Sequence, residues 1–286
     1  MVQITIAIIC DCDDTLAPDT TAQLLTANGI DPHEFYTGRV ADLVNQGYDP
    51  AIAYLNEIIR VLPSLTRDRI IEIGASLRLY PGIPNIFREL ETEIQENYRN
   101  EGIHLRVYIV SGGIKDLIQA SPLGEVVDKI WGCNFDYDAT GKVAAIKNVV
   151  SFTEKTRFLF NIQKGLCGIE YDNQPYAVNM FIPADQRLVP YKHMIYLGDG
   201  PSDIPCMSII NANSDGYSRT IGILCENDPL RTWALGYGRR ASITVPPNFT
   251  KEGVYAYNEL RQTVIKMAEH IKFEISMERG GPIPRY

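Results

Sequence analysis

Ile4-Thr5-Ile6-Ala7-Ile8-Ile9-Cys10 runs straight into Asp11-Cys12-Asp13-Asp14-Thr15-Leu16. The first seven residues are almost continuously apolar and rich in isoleucine. Such a run suits a strand buried on both faces, the setting of a parallel sheet. Two later segments repeat the pattern. Leu105-Arg106-Val107-Tyr108-Ile109-Val110 leads into Ser111-Gly112-Gly113, and His193-Met194-Ile195-Tyr196-Leu197 leads into Gly198-Asp199-Gly200-Pro201-Ser202-Asp203. Thr220 to Leu224 and Ala241 to Val245 are expected as fourth and fifth strands. Between strands, Asn85 to Asn97 places Ile86, Phe87, Leu90 and Ile94 on one helical face. Gly253 to Ile271 does the same with Tyr257, Leu260, Val264 and Ile271. Alternating strands and helices predict an α/β domain around a parallel sheet.

Residues 18–79 break the alternation and read as helix after helix. Asp31-Pro32 and Asp49-Pro50 each set a capping carboxylate before a proline suited to a first helical turn. Ile52, Leu55, Ile59 and Leu62 then recur at helical spacing, and Thr66 to Leu77 forms another helix. The expected organisation is a core of residues 1–17 and 80–286, with a helical cap of residues 18–79 inserted after the first strand. Both ends of the insert join the sheet, which places it as a lid. A stretch of the core at about 165–191, rich in Pro, Asp and Tyr, is expected as a hairpin flap or a dimer contact.

In an open parallel sheet, ligands bind at the carboxyl ends of the strands. The three loops would bring Asp11, Asp13, Asp199 and Asp203 together there. Clustered carboxylates repel one another in a low-dielectric cleft and need a counter-charge. An all-oxygen set without His or Cys points to a hard cation, and Mg2+ is commonly bound by one or two carboxylates plus substrate phosphate. A lone Asp-x-Asp reads as a turn or cap. Two acidic loops, each directly after a buried strand, do not.

Lys and Arg number 27 against 35 Asp and Glu, a formal charge of −8, which argues against a nucleic-acid or anionic-membrane binder. Apolar residues make up 45% and charged residues 22%, which excludes a disordered chain. No apolar stretch reaches the ~18 residues of a transmembrane helix. The six cysteines have no CxxC spacing and read as reduced thiols of a cytoplasmic protein. The four histidines share no metal spacing.

Asp11-Cys12-Asp13-Asp14-Thr15-Leu16, Ser111-Gly112-Gly113 and Gly198-Asp199-Gly200-Pro201-Ser202-Asp203, in that order, resemble the three loops of the haloacid dehalogenase-like hydrolase superfamily. Tyr80-Pro81-Gly82, and Phe135-Asp136-Tyr137-Asp138 before Gly141-Lys142, further resemble its phosphoserine phosphatase-like branch. The resemblance implies a Rossmann-like core with an inserted C1 cap. It implies that Asp11 is the nucleophile of an aspartyl-phosphate mechanism and Asp13 the general acid and base. Asp11, the Asp13 backbone carbonyl and Asp199 would ligate Mg2+. Ser111 and the Gly112 N–H would hold phosphate, with Thr15 and Asp203 in support. An acid at Asp13 favours a phosphatase or phosphomutase over a dehalogenase, because halide departs without a proton. The family also uses a lysine beside the nucleophile. Among Lys142, Lys147, Lys155, Lys164 and Lys192, Lys155 stands at a capped helix start before Phe158, Leu159 and Ile162, with Lys164 the lesser candidate.

The glutamate by which phosphoserine phosphatases hold the substrate amine is replaced here by Thr20. Phe35, Tyr36, Arg39 and Tyr54 are cap candidates for facing the cleft, each with ordinary packing as the simpler alternative. The expectation is a Mg2+-dependent phosphatase acting on a small phosphorylated metabolite. The alternatives are a phosphomutase and an idle binding protein of the same fold. Substrate and oligomeric state are not legible.

Overall fold

The computed structural model describes residues 4–226 and 228–279. Seven strands form one sheet: β1 (Ile4–Cys10), β2 (Ile103–Ile114), β3 (Lys129–Tyr137), β4 (Val143–Asn148), β5 (Met194–Gly198), β6 (Arg219–Ile223) and β7 (Ile243–Val245). Their spatial order is β4-β3-β2-β1-β5-β6-β7, and every pairing is parallel except β3 with β4. The chain leaves β1 toward β2 and later returns to β1's other side as β5. That reversal makes the carboxyl end of β1 the switch point at which such sheets bind ligands.

Both faces of β1 are buried, as the isoleucine run predicts. Ile6, Ile8 and Cys10 pack in one core with residues of α6 (Asn85–Tyr98) and α11 (Tyr255–Arg279). Ala7 and Ile9 point to the opposite core, with residues of α8 (Glu154–Lys164) and α9 (Ile204–Ala212). Two short helices, α7 (Lys115–Ala120) and α10 (Pro229–Tyr237), complete the layers.

Between β1 and α6, residues 18–79 are helical, with no strand beyond an isolated antiparallel bridge of Thr66 to Lys142. The helices are α1 (Thr20–Ala27), α2 (Pro32–Glu34), a π-helical Phe35–Val40, α3 (Ala41–Asn45), α4 (Pro50–Val61) and α5 (Arg67–Ala75). The capping prolines act as expected: Asp31 accepts from the His33 N–H, and Asp49 from those of Ala51 and Ile52. Leu24, Leu55, Ile58 and Ile70 of this segment share the core that contains Ile9.

Three details differ from the sequence expectation. The β3–β4 pair was not anticipated. β2 extends through Ser111-Gly112-Gly113 to Ile114, with an irregular register against β3 after Val110. Residues 165–191 form no hairpin. They are 3-10 turns at Ile169–Tyr171, Pro175–Asn179 and Ala184–Gln186, followed by one at Tyr191–His193. Prolines and clustered polar residues favour such turns over a strand ladder. The six cysteines form no disulfide. No helix among the described residues is long and apolar enough to cross a membrane.

His193 enters β5 with a buried ring and no hydrogen-bond partner for either ring nitrogen among the described residues. Burial, reinforced by the Lys192 charge, pushes its pKa from 6.5 down to about 4. The unfolded chain therefore binds more protons than the native one across that interval, and stability falls as pH falls through it. Between pH 7 and 4.5 the native protein is expected to lose about 2–3 kcal/mol more than a His193→Gln variant. Urea unfolding at the two pH values measures the difference.

Candidate active site

Asp11 leaves the end of β1 into a tight turn. The N–H groups of Thr15, Leu16 and Ala17 all converge on the Cys12 carbonyl. Asp14 takes a left-handed φ of 54°, a conformation a short polar side chain tolerates better than most. The turn thereby presents Asp11 and Asp13 at the carboxyl edge of the sheet. Both border a cavity of about 640 Å3. Gly112, Gly113, Lys155, Asp199 and Ser202 border it from the sheet side, and Asp19, Tyr36, Asp49 and Tyr54 from the helical segment.

Asp11 is 5% exposed. Its Oδ1 accepts the Cys12 N–H at 2.7 Å, and its Oδ2 accepts from Lys155 Nζ at 2.6 Å. Lys155, 2% exposed, also donates to Asp203 Oδ1 at 2.8 Å and Ser202 Oγ at 3.2 Å. Lys164 lies elsewhere: its Nζ holds the carbonyls of Val178 and Met180 in the 165–191 stretch. Burial raises the Asp11 pKa to about 7 against the lowering pull of Lys155. Burial likewise raises Asp13 to about 7, with the neighbouring Asp19 adding to it. The Thr20 N–H donates to Asp13 Oδ1 at 2.7 Å.

Carboxylate oxygens of Asp11, Asp199 and Asp203 all lie within 4.8 Å of one another. They are not equivalent. Both oxygens of Asp203 are occupied: Oδ1 by Lys155 and the Tyr196 hydroxyl, Oδ2 by the N–H groups of Asp199 and Gly200. Asp203 thus orients Lys155 and the Asp199 loop. Gly198 permits this closeness, because a Cβ there would lie 2.4 Å from the Asp203 Cγ. Thr15 Oγ1 donates to Asp199 Oδ1 at 3.4 Å, and Thr232 Oγ1 pins the Asp199 carbonyl at 2.7 Å. The oxygen donors of Asp11 and Asp199 fit a hard divalent cation.

Ser111 is fully buried, behind the cavity wall, and its Oγ accepts the Gly113 N–H at 2.9 Å. The wall itself is formed by Gly112 and Gly113. Of the cap candidates, Tyr36 and Tyr54 reach the cavity. Tyr54 donates to the Gly112 carbonyl, and Tyr36 to Asp19 Oδ1 at 3.4 Å. Phe35 packs in the core, and Arg39 pairs with Glu57 at 3.9 Å. Sequence reasoning missed Asp19, Thr232 and the cavity-facing position of Asp49. Asp49 was visible only as a cap, a role it also fills.

No family model matches the chain. A protein of Borreliella burgdorferi described as uncharacterized is 28% identical over 215 residues, 70% of this chain and 72% of the relative. Among solved structures, a phosphoserine phosphatase in apo form superposes with a TM-score of 0.56 at 15% identity, covering 88% of this chain and 98% of that one. A HAD family hydrolase from Salmonella enterica serovar Typhi gives 0.56 at 13% identity over 86% of this chain and 69% of that one. A probable phosphoserine phosphatase from Vibrio cholerae gives 0.55 at 15% identity over 94% and 67%. The fold is therefore similar to that of solved phosphoserine phosphatases and of a HAD family hydrolase.

Proposed function

We propose that the protein is a Mg2+-dependent phosphatase that hydrolyses a small phosphomonoester through an aspartyl-phosphate on Asp11. The observation that carries this reading is the buried Asp11–Lys155 contact of 2.6 Å at the cavity that Asp13 also borders. One Asp11 oxygen attacks phosphorus, and the bond from phosphorus to the alcohol oxygen breaks. Asp13 gives that oxygen its proton, then takes one from the water that attacks the phosphorus of the acyl phosphate, which breaks the bond from Asp11 oxygen to phosphorus and releases inorganic phosphate. A raised pKa of about 7 suits a group that must do both near neutrality. Lys155 balances charge on Asp11 and the phosphoryl group, and the Gly112 and Gly113 backbone lets phosphate approach closely. Asp11, the Asp13 carbonyl and Asp199 would hold Mg2+, which supplies further charge neutralisation. Residues 18–79 act as the lid over the site. The free thiols fit a cytoplasmic setting.

Hydrolysis of an aryl phosphate should require Mg2+ and stop with chelator. Asp13→Asn should slow turnover roughly 10²–10⁴-fold for alkyl esters. The loss should be much smaller for aryl esters, whose leaving oxygen needs no proton. Equal losses for both ester types would remove Asp13 from the acid role.

Gly113 gives an independent check on placement. A Cβ there would lie 2.6 Å from Asp13 Oδ2 and 3.2 Å from Ser111 Oγ. Gly113→Ala therefore pushes the Asp13 carboxylate aside while leaving its chemistry intact. A displacement of ~1 Å can cost ~10²-fold. The expected result is a drop in kcat of that order with a melting temperature changed by only a few degrees. A kcat within twofold of the wild type would show that Asp13 need not stand where it does.

A further inference from the structure

Five arginines and no lysine occur in residues 18–79. Every one of the five pairs with a carboxylate away from the cavity. Arg39 and Arg60 pair with Glu57 at 3.9 and 2.5 Å, and Arg67 with Asp116 at 3.4 Å. Arg69 pairs with Glu72 at 2.8 Å, and Arg78 with Glu226 at 3.7 Å. His33 is exposed on α2. The only cation bordering the cavity among the described residues is Lys155, already engaged by Asp11 and Asp203. The same segment instead turns Asp19 and Asp49 toward the cavity, with Tyr36 and Tyr54 beside them. Asp49 spends Oδ1 on the N–H groups of Ala51 and Ile52, and its Oδ2 has no partner among the described residues.

This distribution of charge selects the part of the substrate that lies beyond the phosphate. An anionic group there would meet two carboxylates and no counter-ion, in a partly desolvated space where like charges repel strongly. A cationic group would meet a carboxylate with an open oxygen and two aromatic rings, both favourable surroundings. We propose that the esterified alcohol of the substrate carries an ammonium or comparable cation, and neither a carboxylate nor a second phosphate, with Asp49 and Asp19 selecting it. The inference rests on the phosphatase reading of this cavity and adds the class of leaving alcohol. It also separates this chain from an enzyme built for a zwitterionic amino-acid phosphate, which needs a cation for the carboxylate.

The test compares esters of similar size: 2-aminoethyl phosphate, ethyl phosphate, phosphoserine and ethylene glycol bisphosphate. The aminoethyl ester should exceed each of the others in kcat/KM by about tenfold or more. Asp49→Asn and Asp19→Asn keep a good N-cap, since Asn and Asp cap equally well. The double variant should lower the aminoethyl-to-ethyl ratio by about tenfold. Calorimetric titration of the same esters into Asp11→Asn protein gives the binding order without turnover. A preference for phosphoserine or the bisphosphate overturns the proposal, as does a ratio unmoved in the double variant. If the wild type hydrolyses none of the esters or an aryl phosphate, the phosphatase reading falls. The calorimetric order then decides the charge preference alone, and tighter binding of the cationic ester upholds it.

Discussion

Asp11→Asn is expected to reduce aryl phosphate hydrolysis by roughly 10⁴-fold or more, about 5.5 kcal/mol of barrier, without weakening the fold. The two halves of this result have one physical origin. Asp11 is held in a buried pocket with Asp203 nearby, and burial raises its pKa from 3.8 to about 7 in spite of Lys155. A carboxylate whose native pKa lies above its unfolded value favours the native state only while protonated. Its contribution is present at low pH and is lost as pH rises from about 4 through 7. Above pH 7 the ionised Asp11 is thus a liability to folding, one that the proposed mechanism accounts for by its need of a nucleophilic oxygen. A neutral amide of the same shape removes that liability together with the nucleophile. Thermal melting in chelator at pH 8 should give the variant a melting temperature equal to or above that of the wild type. The advantage should vanish near pH 4, where both side chains are neutral. A variant that is inactive and several degrees less stable at pH 8 would mean that the Asp11–Lys155 pair is chiefly structural.

The parts of this site legible in the sequence are those fixed by short-range chemistry. β1 declared itself because both its faces are buried, so seven residues carry no polar alternation. Asp11, Asp13, Asp199 and Asp203 follow strands directly, and strand ends in a parallel sheet converge whatever the helices do. Lys155 was legible from its place at a helix start, although nothing local shows that its side chain meets Asp11. β4 was illegible for the opposite reason. Of its six residues only Val143 is buried, and an edge strand of that kind has no periodicity to read. Thr232 was hidden as one threonine in a helix. Its role depends on where α10 packs beside β6. Asp49 shows the limit most clearly. Its capping role is local and was readable, but its approach to Asp11 and Lys155 across a shared cavity depends on how α4 is carried over the sheet.

Lys155→Met should have the largest effect on stability, and it tests the charge arrangement from the other side. Methionine keeps the length and apolar stem of lysine but removes the ammonium that Asp11 and Asp203 share. Both carboxylates would then lie buried without their cation, and breaking one member of such a group costs about 3–5 kcal/mol. For a chain of this size that corresponds to a fall of roughly 10 °C in melting temperature. Turnover should drop by roughly 10²–10³-fold, the scale seen when one preorganised charge partner of a transition state is deleted. Combining Lys155→Met with Asp11→Asn removes the cation and one of its two anions together. The double variant should therefore recover part of the lost stability, with a coupling of roughly 1–3 kcal/mol measured by denaturant unfolding of all four proteins. Activity should not recover, and the double variant should be little worse than Asp11→Asn alone, because residues that act as a unit are lost as a unit. Asp203 would still be unpaired in that protein, with Tyr196 and two backbone N–H groups left to hold it. The recovery should accordingly be incomplete. Full recovery would mean that Asp203 draws its stabilisation from those three donors and uses Lys155 only to aim it at Asp11.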